Sequence, residues 1–553
     1  MSSGKFYSIL IFMVWRFFCN LKFVSKVLLL IIKICYNRKA NITAKEGVIL
    51  AVNLIEYLDE SAEKFPDKLA VSDEKTELTF SELRKNVMAA ASYIHNMTNA
   101  KNKPIAVEVD RCTESVVMFL GVLYSGNFYV PIDNKMPDDR VSIIIQDINP
   151  YLCLDIKGKS FFNKFNVKTA SYEAIINHET DEEALNFIKK NTIDIDPCYT
   201  MYTSGSTGIP KGVVISHRMV MDFADFLSNT FCINETDILA NQAPFYFDCS
   251  VKCIYQMLKN GCTMYIMRPM YFMFPLRAIE FFNKKNVTTL LWATSGLNIL
   301  SSSGVFKSLK PETINKVFFS GEMLYAKDYL LWKEACQAKA MFINLYGPTE
   351  VTVDCAYYII NRDFSSEDVI PIGKACNNMN IYLLDENNEL AKGNEIGEIC
   401  ARGTGISYGY YNNPGKTEEV FVQNPFNSNY RDIIYRTGDL GKYNEYGELV
   451  YVSRKDHQIK HKGNRIELGE IEASSMTMDK IDEAAVIYDE KNKKIVLACK
   501  TNLEKHVIMN YLKEKLPKYM MPDEILIFEK LPHNRNGKID RVKIKVDYFE
   551  RSN

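Results

Sequence analysis

Between Tyr202 and Gly212 the chain reads Tyr-Thr-Ser-Gly-Ser-Thr-Gly-Ile-Pro-Lys-Gly. Thr203, Ser204, Gly205, Ser206, Thr207 and Gly208 put four hydroxyls and two glycines into six residues. That composition makes a poor helix or strand. As a loop, its amides can wrap an anion, its hydroxyls can donate to phosphate oxygens, and Lys211 adds a compact positive charge. The spacing departs from GxxxxGK[ST], which argues against a P-loop nucleotidase. A flexible Ser/Gly linker is the bland alternative, but linkers seldom end in Pro-Lys-Gly and run straight into Val213-Val214-Ile215.

Four more segments carry too much polarity and glycine for plain packing. They are Asn344-Leu345-Tyr346-Gly347-Pro348-Thr349-Glu350, Tyr435-Arg436-Thr437-Gly438-Asp439-Leu440, the run from Lys460 to Glu472, and Asn536-Gly537-Lys538-Ile539-Asp540. Singly each is weak. In this order, together with the first loop, they resemble the AMP-forming adenylating enzymes: acyl-CoA ligases, luciferases and the amino-acid-activating domains of nonribosomal peptide synthesis. The resemblance runs over roughly residues 50 to 545. Tyr129-Val130-Pro131-Ile132-Asp133, Arg402-Gly403, Gly409-Tyr410 and Leu516-Pro517-Lys518-Tyr519-Met520-Met521-Pro522 look like motifs of the amino-acid-activating branch. Stand-alone amino-acid:carrier-protein ligases are the suggested relatives, D-alanine:D-alanyl carrier protein ligase among them.

The resemblance implies ATP and Mg²⁺ as the reaction's needs, and it implies roles. The Thr203–Lys211 loop holds the β- and γ-phosphates, with Thr207 in direct contact. Tyr346 stacks on adenine, Thr349 bonds the α-phosphate, Glu350 holds the metal and Asp439 takes the ribose hydroxyls. Arg454 reaches the ribose or phosphate region. Lys538 bridges the substrate carboxylate and the α-phosphate, where one cation offsets the repulsion between two anions. Asp456 is the implied hinge, about which Lys538 withdraws and the Lys460–Gly463 loop approaches the acyl adenylate. Ser453 and Lys462 depart from the family pattern, which has glycine and arginine there.

Phe247-Asp248-Cys249-Ser250 resembles the segment whose aspartate pairs with a substrate ammonium in amino-acid-activating members. A buried carboxylate is costly in a fatty-acyl tunnel and is paired opposite an ammonium. The plain alternative is an aspartate capping a helix. Carried over in the same way, the pocket positions are Cys249, Lys252, Thr294 or Ser295, Phe318, Ser320, Leu345, Val353 and Asp354. Lys252 and Asp354 either meet a polar substrate or pair with one another. Phe318 to Glu322 resembles the D-alanine ligases, but Ser320 stands where those have cysteine, so D-alanine is not assigned. The rival functions are an acyl- or aryl-CoA ligase of the same superfamily and a non-catalytic adenylate-binding regulator. Intact Lys538, Glu350 and Asp439 argue against the regulator.

These residues need a scaffold, and the rest of the chain reads as one. Its 553 residues suffice for several domains with large cores. Lys plus Arg total 67 against 68 Asp plus Glu, a balance that gives no support to bulk nucleic-acid binding. The 14 cysteines show no CxxC pair and no metal spacing, as expected of free thiols in a reducing, cytoplasmic compartment. Asn53 starts an amphipathic helix, Leu78-Thr79-Phe80 reads as a short strand leading to a helix capped by Ser81, and His217 reads as a helix-start or packing residue. Runs such as Ile105–Val109 and Thr288–Trp292 alternate with helical patterns, the signature of parallel sheets covered by helices.

The expected architecture is α/β. Residues 46–454 form a large body of two parallel-type sheets with helices and a small β-barrel-like subdomain; residues 455–553 form a small mobile α+β lid. Residues 1–45 are an apolar, basic extension whose longest early uncharged run, Phe6 to Trp15, is too short for a clean span; the open readings are a basic in-plane helix in peripheral contact with the membrane's cytoplasmic face, an added helix packed on the body, or a start placed upstream of the true first residue. Too little chain follows Lys538 for a carrier domain, so the expected partner is a separate phosphopantetheinylated carrier protein, or coenzyme A.

Overall fold

The computed structural model describes residues 51–552 except 157–160, 206–208, 456–457 and 534–538. The N-terminal extension with its membrane reading, the hinge Asp456, Lys538, and Ser206, Thr207 and Gly208 of the hydroxyl loop therefore lie outside the described residues. Among those described, no helix is long and apolar enough to cross a membrane.

Two largely parallel sheets form the body, as the β-rich runs and helical intervals require. Among the described residues the larger has nine strands, and its parallel centre runs Met341–Tyr346, Lys316–Ser320, Thr289–Ala293, Ile238–Asn241, Thr263–Ile266, Leu69–Ser72. The second has six, with Leu152–Asp155, Pro104–Val109, Phe128–Asp133 and Pro197–Thr203 parallel and Lys211–Ser216 returning antiparallel to Pro197–Thr203. The strands that flank the hydroxyl loop are the two of that last pair, with Thr203 opposite Lys211 in register. A five-stranded antiparallel sheet from Met379 to Arg454 supplies the barrel-like part.

Local chemistry sets the helix starts. Asn53 caps Leu54–Lys64 by accepting the Ile55 amide. The next cap corrects the sequence reading. Thr79, not Ser81, caps Phe80–Thr98, and Thr79 and Glu82 form a reciprocal capping box. Ser81 already lies inside the helix, whereas a cap needs the extended backbone that Thr79 has (φ −69°, ψ 166°).

His217 opens the helix His217–Phe231 and is buried, its Nδ1 accepting the Leu54 amide at 3.2 Å. Burial pulls its pKa down to about 4. The unfolded chain therefore binds a proton near pH 6.5 that the folded chain refuses, and stability present above pH 6.5 is lost as pH falls toward 4. That window is worth about 3 kcal/mol at its acid end. Urea midpoints at pH 7 and pH 4.5 should show the loss, and His217→Gln should flatten the dependence.

The C-terminal domain is built on the strands Ile481–Asp489, Lys494–Thr501 and Glu524–Phe528. Strand alternation sends Ala484, Val486, Ile495 and Leu497 to one face, against Ile466 and Ile471. Ala485, Ile487, Val496 and Ala498 go to the other, against Ile544 and Tyr548, with Ile539 packed alongside. The hairpin Gln458–His461/Asn464–Glu467 thus belongs to one face, and Ile539, next to Lys538, to the other.

Candidate active site

Three clusters meet where the two large sheets, the antiparallel sheet and the C-terminal hairpin converge. In the first, Tyr346 ends its strand and donates its hydroxyl to Asp439 Oδ2 at 2.6 Å. Arg454 Nη1 donates to Asp439 Oδ1 at 2.8 Å. This ion pair follows from sheet register, because Asp439 and Arg454 are direct cross-strand partners. Asp439 is 1% exposed. Lys460 of the hairpin holds its Nζ 5.6 Å from the centre of the Tyr346 ring.

The second cluster surrounds Glu350, which is fully buried on a short 3-10 turn. Tyr410 donates its hydroxyl to Oε1 at 2.8 Å, Lys211 Nζ stands 4.0 Å from the same oxygen, and Arg465 Nη1 donates to Oε2 at 2.6 Å. Burial alone would raise this carboxyl, but the Arg465 and Lys211 charges hold it down at about 2. Burial, with the Arg465 guanidinium nearby, pulls Lys211 itself down to about 8. Ser204 Oγ donates to the Arg465 carbonyl at 3.0 Å, and Thr203 Oγ1 reaches the Lys211 carbonyl at 3.5 Å. Gly205 admits no side chain, since a Cβ there would sit 2.0 Å from the Ile209 carbonyl oxygen.

The third cluster lies beneath Asp248. This residue occupies the N-cap position of the helix Cys249–Asn260 but makes no capping bond with its side chain. Its carboxylate is raised by burial, while a hydrogen bond from Thr349 works the other way. Lys252, one turn along, donates to Asp354 Oδ2 at 3.1 Å, and Ser320 Oγ donates to Asp354 Oδ1 at 2.8 Å. Both members of the ion pair have side chains with no exposure. Burial pulls the Lys252 ammonium down, but Asp354 outweighs it and the lysine stays charged. Of the two readings of Lys252 and Asp354, the one realised is that they pair with each other.

Cys249 points its sulfur toward the Leu291 carbonyl at 3.9 Å, and Leu345 and Phe318 are buried, Phe318 edge-on to Phe231. Thr352 and Val353 both have positive φ, 60° and 74°. For β-branched residues this is strained backbone, held by the Thr352 hydroxyl on the Gly405 carbonyl at 2.7 Å. It brings Asp354 back beneath Tyr346, so close that a Cβ on Gly347 would lie 2.5 Å from the Asp354 Cα. Thr294 is buried and donates to the Ser320 carbonyl at 3.2 Å, while Ser295 faces Gly463 of the hairpin.

Thr349 links the clusters, touching Asp248 from one side while Glu350 follows it in the chain. Sequence reasoning missed Arg465 and Tyr410 as partners of Glu350, although both lay in motifs already singled out. It also missed Glu322, which accepts the Gly463 amide at 2.6 Å, and the buried Arg140–Glu470 ion pair between body and C-terminal domain. Among the described residues no group of histidines, cysteines and carboxylates has the makings of a metal cluster.

The AMP-binding enzyme family model matches residues 58–411, and the AMP-binding enzyme C-terminal domain model matches residues 470–538. The chain belongs to the AMP-binding enzyme family. It is 32% identical over 501 residues to tyrocidine synthase 3 of Brevibacillus parabrevis, a match covering 89% of this chain and 8% of that one. It is 30% identical over 497 residues to zwittermicin A synthase ZmaJ of Bacillus cereus, covering 87% and 93%. Several of the curated relatives are much longer, so this chain spans less than half of the first ones it matches. In fold it is similar to NpsA-ThdA, an artificially fused adenylation–PCP di-domain NRPS from Klebsiella oxytoca, with a TM-score of 0.75 at 22% identity over 86% of this chain and 94% of that one.

Proposed function

We propose that this family member activates an amino acid with ATP and passes it to a phosphopantetheine thiol on a carrier protein. In the first step a substrate carboxylate oxygen bonds to the α-phosphorus and the bond to the β-phosphate oxygen breaks, releasing pyrophosphate. In the second, a thiolate sulfur bonds to the acyl carbon and AMP leaves. Positioning two anions and neutralising their charge is the main task of such a site.

The observation that carries this reading is Asp248. A desolvated carboxylate that caps no helix amide and is hydrogen-bonded by Thr349 suits a substrate ammonium. Thr349 then serves both the amino acid and the α-phosphate. Tyr346 and the Asp439–Arg454 pair suit adenine and ribose, and Ser204, Gly205 and Lys211 suit the β- and γ-phosphates. Glu350 supplies the single buried carboxylate that Mg²⁺ takes when phosphate oxygens and water complete its shell, and Oε2 would have to exchange Arg465 for the ion. When bound, the ion would offset the charge of the phosphates. Cys249, Lys252, Phe318, Ser320, Leu345, Val353 and Asp354 are assigned to the side-chain pocket. With Lys252 and Asp354 neutralising one another, their pair brings no net charge to it. The carrier partner is supported by the likeness in fold to an adenylation–PCP protein.

Amino-acid-dependent exchange of pyrophosphate into ATP tests the reading, with the twenty amino acids and D-alanine as substrates. One of them should support exchange, and Asp248→Asn should lower kcat/KM for it at least about 100-fold, the cost of an unpaired buried ammonium. Exchange with fatty or aryl acids that survives Asp248→Asn would replace this reading with the acyl-CoA ligase. A chain inert toward every carboxylic acid would instead be a regulator.

A further inference from the structure

The space assigned to the substrate side chain is already full. Of its residues only Cys249, next to Asp248 in the chain, keeps partial exposure; Lys252, Phe318, Ser320, Leu345, Val353 and Asp354 are buried. Closure is complete at the Lys252–Asp354 pair, whose two side chains have no surface open to water. A gap that excludes water excludes a methyl group as well. Little lets this layer recede. Asp354 is tied to Lys252 Nζ at 3.1 Å and to Ser320 Oγ at 2.8 Å, and the Ser320 carbonyl accepts the Thr294 hydroxyl at 3.2 Å. A Cβ on Gly347 would already lie 2.5 Å from the Asp354 Cα. On another side, among Phe223, Phe226 and Cys376, the packing around Asp354 leaves a void of about 10 Å³, room for one water at most. A long charged side chain meets a second barrier. An acidic one could take Lys252 only from Asp354, and a basic one Asp354 only from Lys252; each exchange leaves a buried charge without its counter-ion.

We infer that Lys252, Asp354 and Ser320 form a rigid floor directly beneath Cys249, and that the substrate is an amino acid whose side chain has at most two heavy atoms, the class of glycine, alanine and serine. This size limit rests on the adenylation reading and adds to it the class of amino acid activated. Asp248 takes the ammonium, and the side chain ends at the floor. The pair acts by its bulk, since its two charges cancel.

Two measurements on the intact chain test it. Pyrophosphate exchange with glycine, L- and D-alanine, serine, valine, leucine, glutamate and phenylalanine reads the size limit, and kcat/KM for the best of the small substrates should exceed that for every larger one on the order of 100-fold. Calorimetric binding of the matching aminoacyl sulfamoyl-adenosines, which needs no turnover, should follow the same order. Lys252→Ala combined with Asp354→Ala removes both charges and the bulk together, and should bring leucine to within about tenfold of the best small substrate. Lys252→Met combined with Asp354→Leu removes the charges and keeps the bulk, and should keep the wild-type preference. If the alanine pair does not fold, the wild-type series and the Met/Leu variant still decide. A wild type that prefers valine, leucine, glutamate or phenylalanine overturns the inference and leaves the adenylation reading standing. A Met/Leu variant that takes up leucine as readily as alanine overturns it too, because charge rather than bulk would then set the limit. Exchange with no amino acid at all would overturn the adenylation reading, and the size limit with it.

Discussion

Replacing Lys538 by alanine is expected to lower amino-acid-dependent pyrophosphate exchange on the order of 100- to 1,000-fold, the scale of losing one preorganised charge partner at a developing anion. Transfer of the aminoacyl group from a preformed adenylate to a carrier thiol should be spared. The asymmetry follows from the C-terminal domain. Ile539 belongs to the sheet face that packs Ile544 and Tyr548, whereas Lys460 and Arg465 belong to the hairpin whose Ile466 packs on the opposite face. In the arrangement described here the hairpin face meets the body, so Lys538 is assigned to the other half-reaction. Single-turnover measurement of adenylate formation and of thioester formation, made separately, checks both halves. Equal loss in the two would contradict the division of labour.

The second large effect concerns stability. Lys252→Met removes one partner of an ion pair in which neither side chain is exposed, and leaves Asp354 charged with only Ser320 to bond it. A loss of about 3–5 kcal/mol is expected, since breaking a buried pair costs more than the pair is worth. Lys252→Met combined with Asp354→Leu should recover most of it, because the penalty lies in the unpaired charge. Guanidinium midpoints of the wild type, both single variants and the double variant give the coupling directly. Additive losses would show that the two residues act independently.

How much of this was legible in the sequence depended on the range of the interaction. The hydroxyl loop stood out in the sequence because its composition is local: six adjacent residues and a lysine, flanked by strands that pair Thr203 with Lys211. Asn53 was readable as a helix start for the same reason, and the Ser81 cap failed only because Thr79 two residues earlier offered the better box with Glu82. Lys252 and Asp354 stayed ambiguous because 102 residues separate them, and only the pairing of strands Lys316–Ser320 and Met341–Tyr346 brings their supports together. Arg465 was invisible as a partner of Glu350, 115 residues away, because no pattern within a hairpin reports what it will dock against. The sheets themselves followed from alternation and β-branched runs, which need only near neighbours.

The two faces of the small C-terminal sheet carry a consequence for turnover. In the proposed two-step reaction, a sheet with the Lys460 hairpin packed on its front and the Ile539 segment on its back would bring only one of them to the body at a time, so the steps would follow one another in strict succession. A ligand that clamped either side would, on that proposal, hold back the opposite segment as well and so halt both steps.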